Sequence, residues 1–170
     1  MCIIIDTNVF ADVFTKESAN HINFEPVFIW VSEGLGKIVY GGTKYKKELL
    51  QAKKYVKIFR LFSDARRVVH IPDDLVDIKE KELRLKIPEK ELNDKFNDPH
   101  IVAIVIVSKC KIVCTLDIGL SEFLKISDYP ADVDMPLIYS NKSNRDMLNH
   151  DNIVECCKPC EKLKKVKVSS

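Results

Sequence analysis

Short apolar runs alternate with amphipathic stretches along this chain, and this alternation sets the expected elements. Uninterrupted apolar runs are typical of buried strands, and they occur at 2–5, 37–40, 68–71, 112–115 and 137–139. Apolar positions at helical spacing predict helices at about 9–14, 25–34, 43–62, 73–86, 98–109 and 117–124. Strands that alternate with helices predict the α/β class. We expect a three-layer α/β/α fold with a central, mainly parallel β-sheet.

The predictions of two of these helices use capping residues at the start of the helix. The run after Asp98 is rich in β-branched residues, but Asp98 followed by Pro99 is a good N-cap and first-residue pair, so we predict a buried helix. Thr43 is expected to cap the helix over 43–62, which the apolar stripe predicts as one continuous helix.

The length of 170 residues fits one domain and a short tail. We expect the domain to span 1–149 and a basic, cysteine-containing tail to span 150–170, disordered or loosely docked. The N-terminus lacks the apolar run of about 7–15 residues of a signal peptide. The longest apolar run, 101–107, is far shorter than the roughly 18 residues of a membrane span. No membrane association is therefore expected, and the cytoplasm is the expected location.

The six cysteines fall into two sets. Three lie in apolar stretches, where free buried thiols are expected: Cys2, Cys110 and Cys114. Three cluster near the end: Cys156, Cys157 and Cys160. Neither set is typical of a secreted disulfide framework, which favours a reducing compartment. A zinc site in the second set would lack a fourth ligand unless His150 joined it.

Four acidic residues are the candidates for chemistry. Asp6 and Asp117 each follow a buried strand and precede a helix, and ligands of open parallel sheets bind beyond the carboxyl ends of the strands. Each candidate also has an ordinary structural explanation. Asp6 and Asp117 are explained by turn chemistry, Asp98 by helix capping, and Glu48 by pairing with a lysine such as Lys44.

The four carboxylates lie in motifs that resemble those of the PIN-domain family of metal-dependent ribonucleases. The resemblance covers about residues 1–140. It rests on IIIDTN at 3–8, KELL at 47–50, NDPHIVAIV at 97–105 and IVCTLDIGL at 112–120. The first and last motifs are fairly specific, whereas the motif around Glu48 is weak.

The resemblance implies an acidic metal-binding quartet: Asp6, Glu48, Asp98 and Asp117. It assigns Asp6, Asp98 and Asp117 to the main metal position, and Glu48 to a second ion or to the water. Asn8 and Thr115 match polar positions that line the family's site, and either Ser121 or Glu122 would supply a further group. Carboxylate oxygens suit hard cations, so Mg²⁺ or Mn²⁺ is the expected cofactor.

The same resemblance implies single-stranded or structured RNA as the substrate. Many small members are toxins of bacterial toxin–antitoxin pairs, so an antitoxin-like inhibitor protein and a homodimer are expected partners. A catalytically inactive RNA-binding or partner-binding module is the main alternative. An aspartyl-phosphate hydrolase is disfavoured, because Asp6-Thr7-Asn8 lacks the second carboxylate of Asp-x-Asp. His100 suggests a general base, but a lone histidine at a helix start is expected to be exposed.

The net charge of +2 is too small to indicate nucleic-acid binding by itself. Between Lys44 and Arg67, however, nine basic residues face only Glu48 and Asp64. On one continuous helix, several of these lysines would share a face. We therefore expect RNA contacts from Lys46, Lys53 and Lys57.

Overall fold

The computed structural model describes residues 2–87, 98–152, 154–158 and 163–167. Asn97 of the third motif and Cys160 of the terminal cysteine set lie outside the described residues.

Five strands form one sheet, and every described strand pair is parallel. The strand order is β3-β2-β1-β4-β5. The strands are β1 (Cys2–Ile5), β2 (Lys37–Gly41), β3 (Val68–Ile71), β4 (Ile112–Cys114) and β5 (Leu137–Tyr139). The predicted three-layer α/β fold is confirmed.

The centre of the sheet positions the candidate site. β1 lies between β2 and β4, with Ile3 opposite Ile38 and Ile4 opposite Val113. All four residues of β1 are fully buried, as its uninterrupted apolar run predicts. Because β1 and β4 run in parallel, the residues that follow them emerge at the same edge of the sheet.

Helices cover the sheet. They are α1 (Phe10–Phe14), α2 (His21–Ser32), α3 (Thr43–Gln51), α4 (Lys53–Asp64), α5 (Asp73–Lys86), α6 (Pro99–Ser108) and α7 (Ile118–Ile126). The predicted buried helix after Asp98 is confirmed as α6. Helix α2 begins four residues before the predicted start and contains Pro26. None of the helices in the described part of the chain is long and apolar enough to cross a membrane.

The single helix predicted over 43–62 is wrong. Ala52 leaves the helical conformation, with φ −83° and ψ 55°, and separates α3 from α4. Neither glycine nor proline marks this position, so no local breaker reveals it. The break means that helical periodicity no longer places Lys46 on one face with Lys53 and Lys57.

The expected cap at Thr43 is also wrong. Gly42, with a φ of 82°, is the N-cap residue, and no side chain of its own caps the helix. The caps come from α5 instead. The Gly42 N–H donates to Asp73 Oδ1 at 3.0 Å, and the Thr43 N–H donates to Asp77 Oδ1 at 2.8 Å. These tertiary caps satisfy amides that every helix start leaves free.

The described part of the tail packs on the domain, so the expectation of a disordered or loosely docked tail is wrong there. Val154 and Val166 are buried, and the Val166 N–H donates to Ser32 O at 3.0 Å. Arg67 is almost fully buried, and its Nε donates to the carbonyl oxygen of Lys164. The proposed domain boundary at 149 stays a prediction.

A disulfide joins Cys2 of β1 to Cys157 of the tail, with a Cα–Cα separation of 6.2 Å. The expectation that Cys2 is a free thiol is therefore wrong, whereas Cys110 and Cys114 are free and buried as expected. The disulfide also removes Cys157 as a thiolate ligand for zinc.

Reducing this disulfide should lower the free energy of unfolding by about 2–5 kcal/mol, because it ties two distant segments together in the unfolded chain. The bond joins residues 155 positions apart. Urea melts with and without a reductant measure the effect. The variant Cys156→Ser, which alters a free cysteine, should keep the reductant-dependent difference. Identical midpoints in both conditions would contradict the link.

Candidate metal centre

Asp6 follows β1 and lies at the carboxyl edge of the sheet. It is 4% exposed. Its Oδ2 accepts a hydrogen bond from Thr115 Oγ1 at 2.7 Å, and its Oδ1 accepts one from the Asn8 N–H at 3.4 Å. Thr115 is thus next to Asp6, whereas Asn8 contacts Asp6 through its backbone.

The environment of Asp6 makes its negative charge costly. Burial raises the pKa of the Asp6 carboxyl to about 6, and the negative charge of Asp98 contributes to the rise. The hydrogen bonds from Thr115 and Asn8 oppose it. Asp98 is distant from Asp6 in sequence, and its charge adds to the cost of ionising the Asp6 carboxyl.

Glu48, Asp98 and His100 form a compact cluster, in which each residue offers a ligand atom within 4.8 Å of the others. His100 Nε2 lies 3.5 Å from Glu48 Oε2, and His100 Nδ1 lies 3.6 Å from Asp98 Oδ1. Helix α3 supplies Glu48, and the start of α6 supplies the other two. The three side chains are brought together by two helices that flank the sheet edge.

Glu48 is held in its charged form. Burial tends to raise the pKa of its carboxyl, but His100, the Thr7 hydroxyl and Lys44 together lower the pKa below its ordinary value. Thr7 Oγ1 donates to Glu48 Oε2 at 3.0 Å. The contact with His100 is long, at 3.5 Å between His100 Nε2 and Glu48 Oε2.

Asp98 does not use its carboxylate to cap α6, although it is the N-cap residue. Its Oδ1 accepts a hydrogen bond from Lys44 Nζ at 2.9 Å instead. The same ammonium group lies 3.9 Å from Glu48 Oε1. The expected pairing of Glu48 with Lys44 is therefore present, but Lys44 is closer to Asp98 and serves as a cation inside the acidic cluster.

Asp117 has a mainly structural environment. Its Oδ1 caps α7 by accepting from the Leu120 N–H at 2.9 Å, and its own N–H donates to Thr115 Oγ1 at 3.0 Å. Thr115 therefore links Asp117 to Asp6. Among the described residues, the compact ligand group contains Glu48 and Asp98 but neither Asp6 nor Asp117. Of the two further candidates, Ser121 donates to the Asp117 carbonyl oxygen at 2.8 Å, and Glu122 is exposed.

His100 is the site residue that the sequence interpretation missed. The expectation of an exposed histidine is wrong, since His100 is 1% exposed. The missed signal lies in α6 itself, whose sequence from Ile101 to Val107 is apolar on every face. A helix that is apolar all round is buried, so a histidine within its first turn is buried as well.

The three lysines predicted to contact RNA differ in their environments. Lys46 Nζ lies 2.6 Å from Asp73 Oδ2. Lys53 and Lys57 are exposed, and no carboxylate in the described ranges pairs with either of them. Only these two lysines are available for phosphate contacts without breaking an ion pair.

Comparison with models of known protein families, with curated proteins and with solved structures finds no match to this chain. The case for its function therefore rests on the motifs and on the geometry of the site.

Proposed function

We propose that this chain is a divalent-metal-dependent endoribonuclease of PIN type. The observation that carries the proposal is the approach of Glu48, Asp98 and His100 to within 4.8 Å of one another, at the edge of the sheet where buried Asp6 follows β1. These residues come from three distant motifs, and the fold brings them within the range of charge interaction. Local turn or capping chemistry does not require such convergence.

The donor set fits a divalent cation. Carboxylate oxygens are the ligands that Mg²⁺ and Mn²⁺ accept, and the buried ring nitrogens of His100 have no hydrogen-bond partner among the described residues. Glu48 and Asp98 would hold the ion, with Asp6 beside them. When bound, such an ion activates water and neutralises the charge that builds on the attacking and leaving oxygens of a phosphodiester.

The surrounding residues hold the carboxylates in place. Thr115 donates to Asp6 and Thr7 donates to Glu48, so both carboxylates keep a defined orientation. Lys44 neutralises part of the negative charge of the cluster, through contacts with Asp98 and Glu48.

RNA would reach this edge across the exposed lysines of α4. We expect Lys53→Gln together with Lys57→Gln to weaken RNA binding. The double variant should also flatten the salt dependence by about 1.4 units of slope, since each single-strand phosphate contact contributes about 0.7. Fluorescence titrations at several salt concentrations measure the slope. Lys46→Gln, whose ammonium is already paired with Asp73, is the matched control and should change the slope less. An unchanged slope in the double variant would show that Lys53 and Lys57 only face solvent.

A catalytically inactive RNA-binding or partner-binding module is the second candidate, and Lys44 favours it. Its ammonium lies 2.9 Å from Asp98 Oδ1 and balances part of the acidic charge without any metal. Gel assays with single-stranded and hairpin RNAs in Mg²⁺ or Mn²⁺ separate the two candidates. A nuclease yields shortened products that EDTA abolishes, whereas a binding module shifts the RNA without shortening it.

The remaining proposals concern partners and location. An antitoxin-like inhibitor that covers the acidic edge and a homodimer follow from the resemblance. The cytoplasmic location stays a proposal, and the Cys2–Cys157 disulfide does not support the reducing compartment that the cysteine pattern suggested. Size-exclusion chromatography with light scattering tests the dimer, and co-purification with an RNA-cleavage readout tests for an inhibitor.

A further inference from the structure

We propose that His100 is itself a ligand of the divalent ion, so that the centre selects a transition metal such as Mn²⁺ or Zn²⁺ over Mg²⁺. The inference rests on the metal centre of the proposed function. It departs from the all-carboxylate site that the resemblance implies, because it adds a nitrogen donor.

The first observation is that the ring nitrogens of buried His100 approach carboxylate oxygens without forming a hydrogen bond. The side chain is 1% exposed, and neither Nδ1 nor Nε2 has a hydrogen-bond partner among the described residues. Buried polar side-chain atoms are normally hydrogen-bonded, and each exception calls for an explanation such as an ion. A bound cation at the cluster gives one ring nitrogen its missing partner.

The second observation is the spacing of the donor atoms. His100 Nε2 lies 3.5 Å from Glu48 Oε2, and His100 Nδ1 lies 3.6 Å from Asp98 Oδ1. Donors that share one ion through bonds of about 2.1 Å lie about 3.0–3.4 Å apart. One ion bonds only one of the two ring nitrogens. Bonding through Nε2 needs the separation from Glu48 to close by a few tenths of an ångström, and the third donor lies within the 4.8 Å that encloses one ligand atom of each residue.

The ring is also held in place from its other side. His100 lies in the first turn of α6, and its ring packs against Tyr45 with centroids 6.5 Å apart in an edge-on arrangement. Tyr45 is anchored in turn, because its hydroxyl donates to Ile5 O at 2.6 Å. This packing fixes the imidazole towards the carboxylates before any ion arrives, which favours binding.

The donor set determines the preferred ion. Mg²⁺ keeps oxygen ligands and several waters, whereas imidazole suits transition metals. A protonated His100 that only balances Glu48 and Asp98 is the rival explanation. The rival predicts no bond between the ring and any metal, so direct observation of the ring decides between them.

The test uses the full chain labelled with ¹⁵N in its four histidines, stripped of metal and then titrated with Zn²⁺ or with Mg²⁺. NMR should show a large shift of one His100 ring nitrogen with Zn²⁺ and no such shift with Mg²⁺. The variant His100→Gln identifies the signal. If that variant does not fold, His70→Gln and the other single histidine variants identify it by elimination. An unshifted His100 signal at saturating Zn²⁺ would overturn the inference.

Calorimetry provides a second measurement on the unaltered protein. Mn²⁺ should bind at least about tenfold more tightly than Mg²⁺, and His100→Gln should remove most of that ratio, while the control His70→Gln keeps it. Equal affinities for Mn²⁺ and Mg²⁺ in the wild type would overturn the inference.

Neither the NMR nor the calorimetric measurement depends on RNA cleavage. Coordination by His100 without cleavage would refute only the nuclease proposal, and Mg²⁺-supported cleavage with an uncoordinated ring would refute only this inference.

Discussion

Asp6→Asn should stabilise the metal-free protein at pH 7.5 and should not stabilise it at pH 3.5. Burial raises the pKa of Asp6 to about 6 from the ordinary 3.8, so the folded state holds this proton more tightly than the unfolded chain. Below pH 3.8 the carboxyl is protonated in both states, and its burial carries no charge penalty. Between pH 3.8 and 6 the unfolded chain loses the proton first, so stability falls as the pH rises, and above pH 6 the full penalty remains.

The size of the effect follows from the shift. A difference of about two pKa units corresponds to about 3 kcal/mol. One hydrogen bond to the Asp6 side chain is weakened in the variant, because the amide nitrogen of asparagine accepts none, and this loss costs about 1 kcal/mol. We therefore expect a net gain of about 1–2 kcal/mol at pH 7.5.

Urea melts in EDTA at the two pH values measure this difference. Asp64→Asn alters an exposed carboxylate outside the site and should show no comparable pH dependence. An Asp6→Asn variant that is destabilised equally at both pH values would show that burial does not penalise the charge of Asp6 and that its hydrogen bonds dominate its effect on stability.

Glu48→Gln and Asp98→Asn should each lower the rate of RNA cleavage by about 100-fold or more while the protein stays folded. Each change removes a charged ligand from the compact cluster. A bound ion stabilises the transition state by several kcal/mol, and about 1.4 kcal/mol corresponds to each tenfold in rate. Asp98→Asn should not weaken α6, because the Asp98 carboxylate makes no capping hydrogen bond.

Two further variants show which carboxylates matter. Asp117→Asn keeps a side chain that can cap α7, so any loss of activity reports on the charge of Asp117 rather than on the helix. A loss as large as that of Asp98→Asn would support the quartet that the resemblance implies. Glu122→Gln changes an exposed neighbour and should leave the rate unchanged. Full activity in both Glu48→Gln and Asp98→Asn would place the chemistry elsewhere.

Features encoded in short segments could be predicted from the sequence. The fully buried run Cys2–Ile5 predicted β1 correctly, and Asp98-Pro99 correctly indicated a helix where β-branched residues favoured a strand. The proximity of Asp6 and Asp117, which Thr115 links, followed from the strand ends, since parallel strands bring their carboxyl ends to one edge.

Features created by distant contacts could not be predicted. The break at Ala52 carries no local signal, and the caps of α3 come from Asp73 and Asp77 of another helix. The tail docks partly through the buried guanidinium of Arg67, whose partner Lys164 O is 97 residues away. The burial of His100, in contrast, could have been predicted from a short segment, because the sequence of α6 around it is apolar on every face.

The most direct test of the central claim measures RNA cleavage by the wild type after EDTA has removed its metal. A fluorescent single-stranded RNA reports the cleavage rate before and after Mn²⁺ is added back. We expect no cleavage in EDTA, cleavage in Mn²⁺, and a rate at least about 100-fold lower for the double variant Glu48→Gln/Asp98→Asn in Mn²⁺. Cleavage that persists in EDTA, or that the double variant retains, would contradict a metal-dependent nuclease at this cluster, as would a folded, Mn²⁺-bound wild type that leaves the RNA intact.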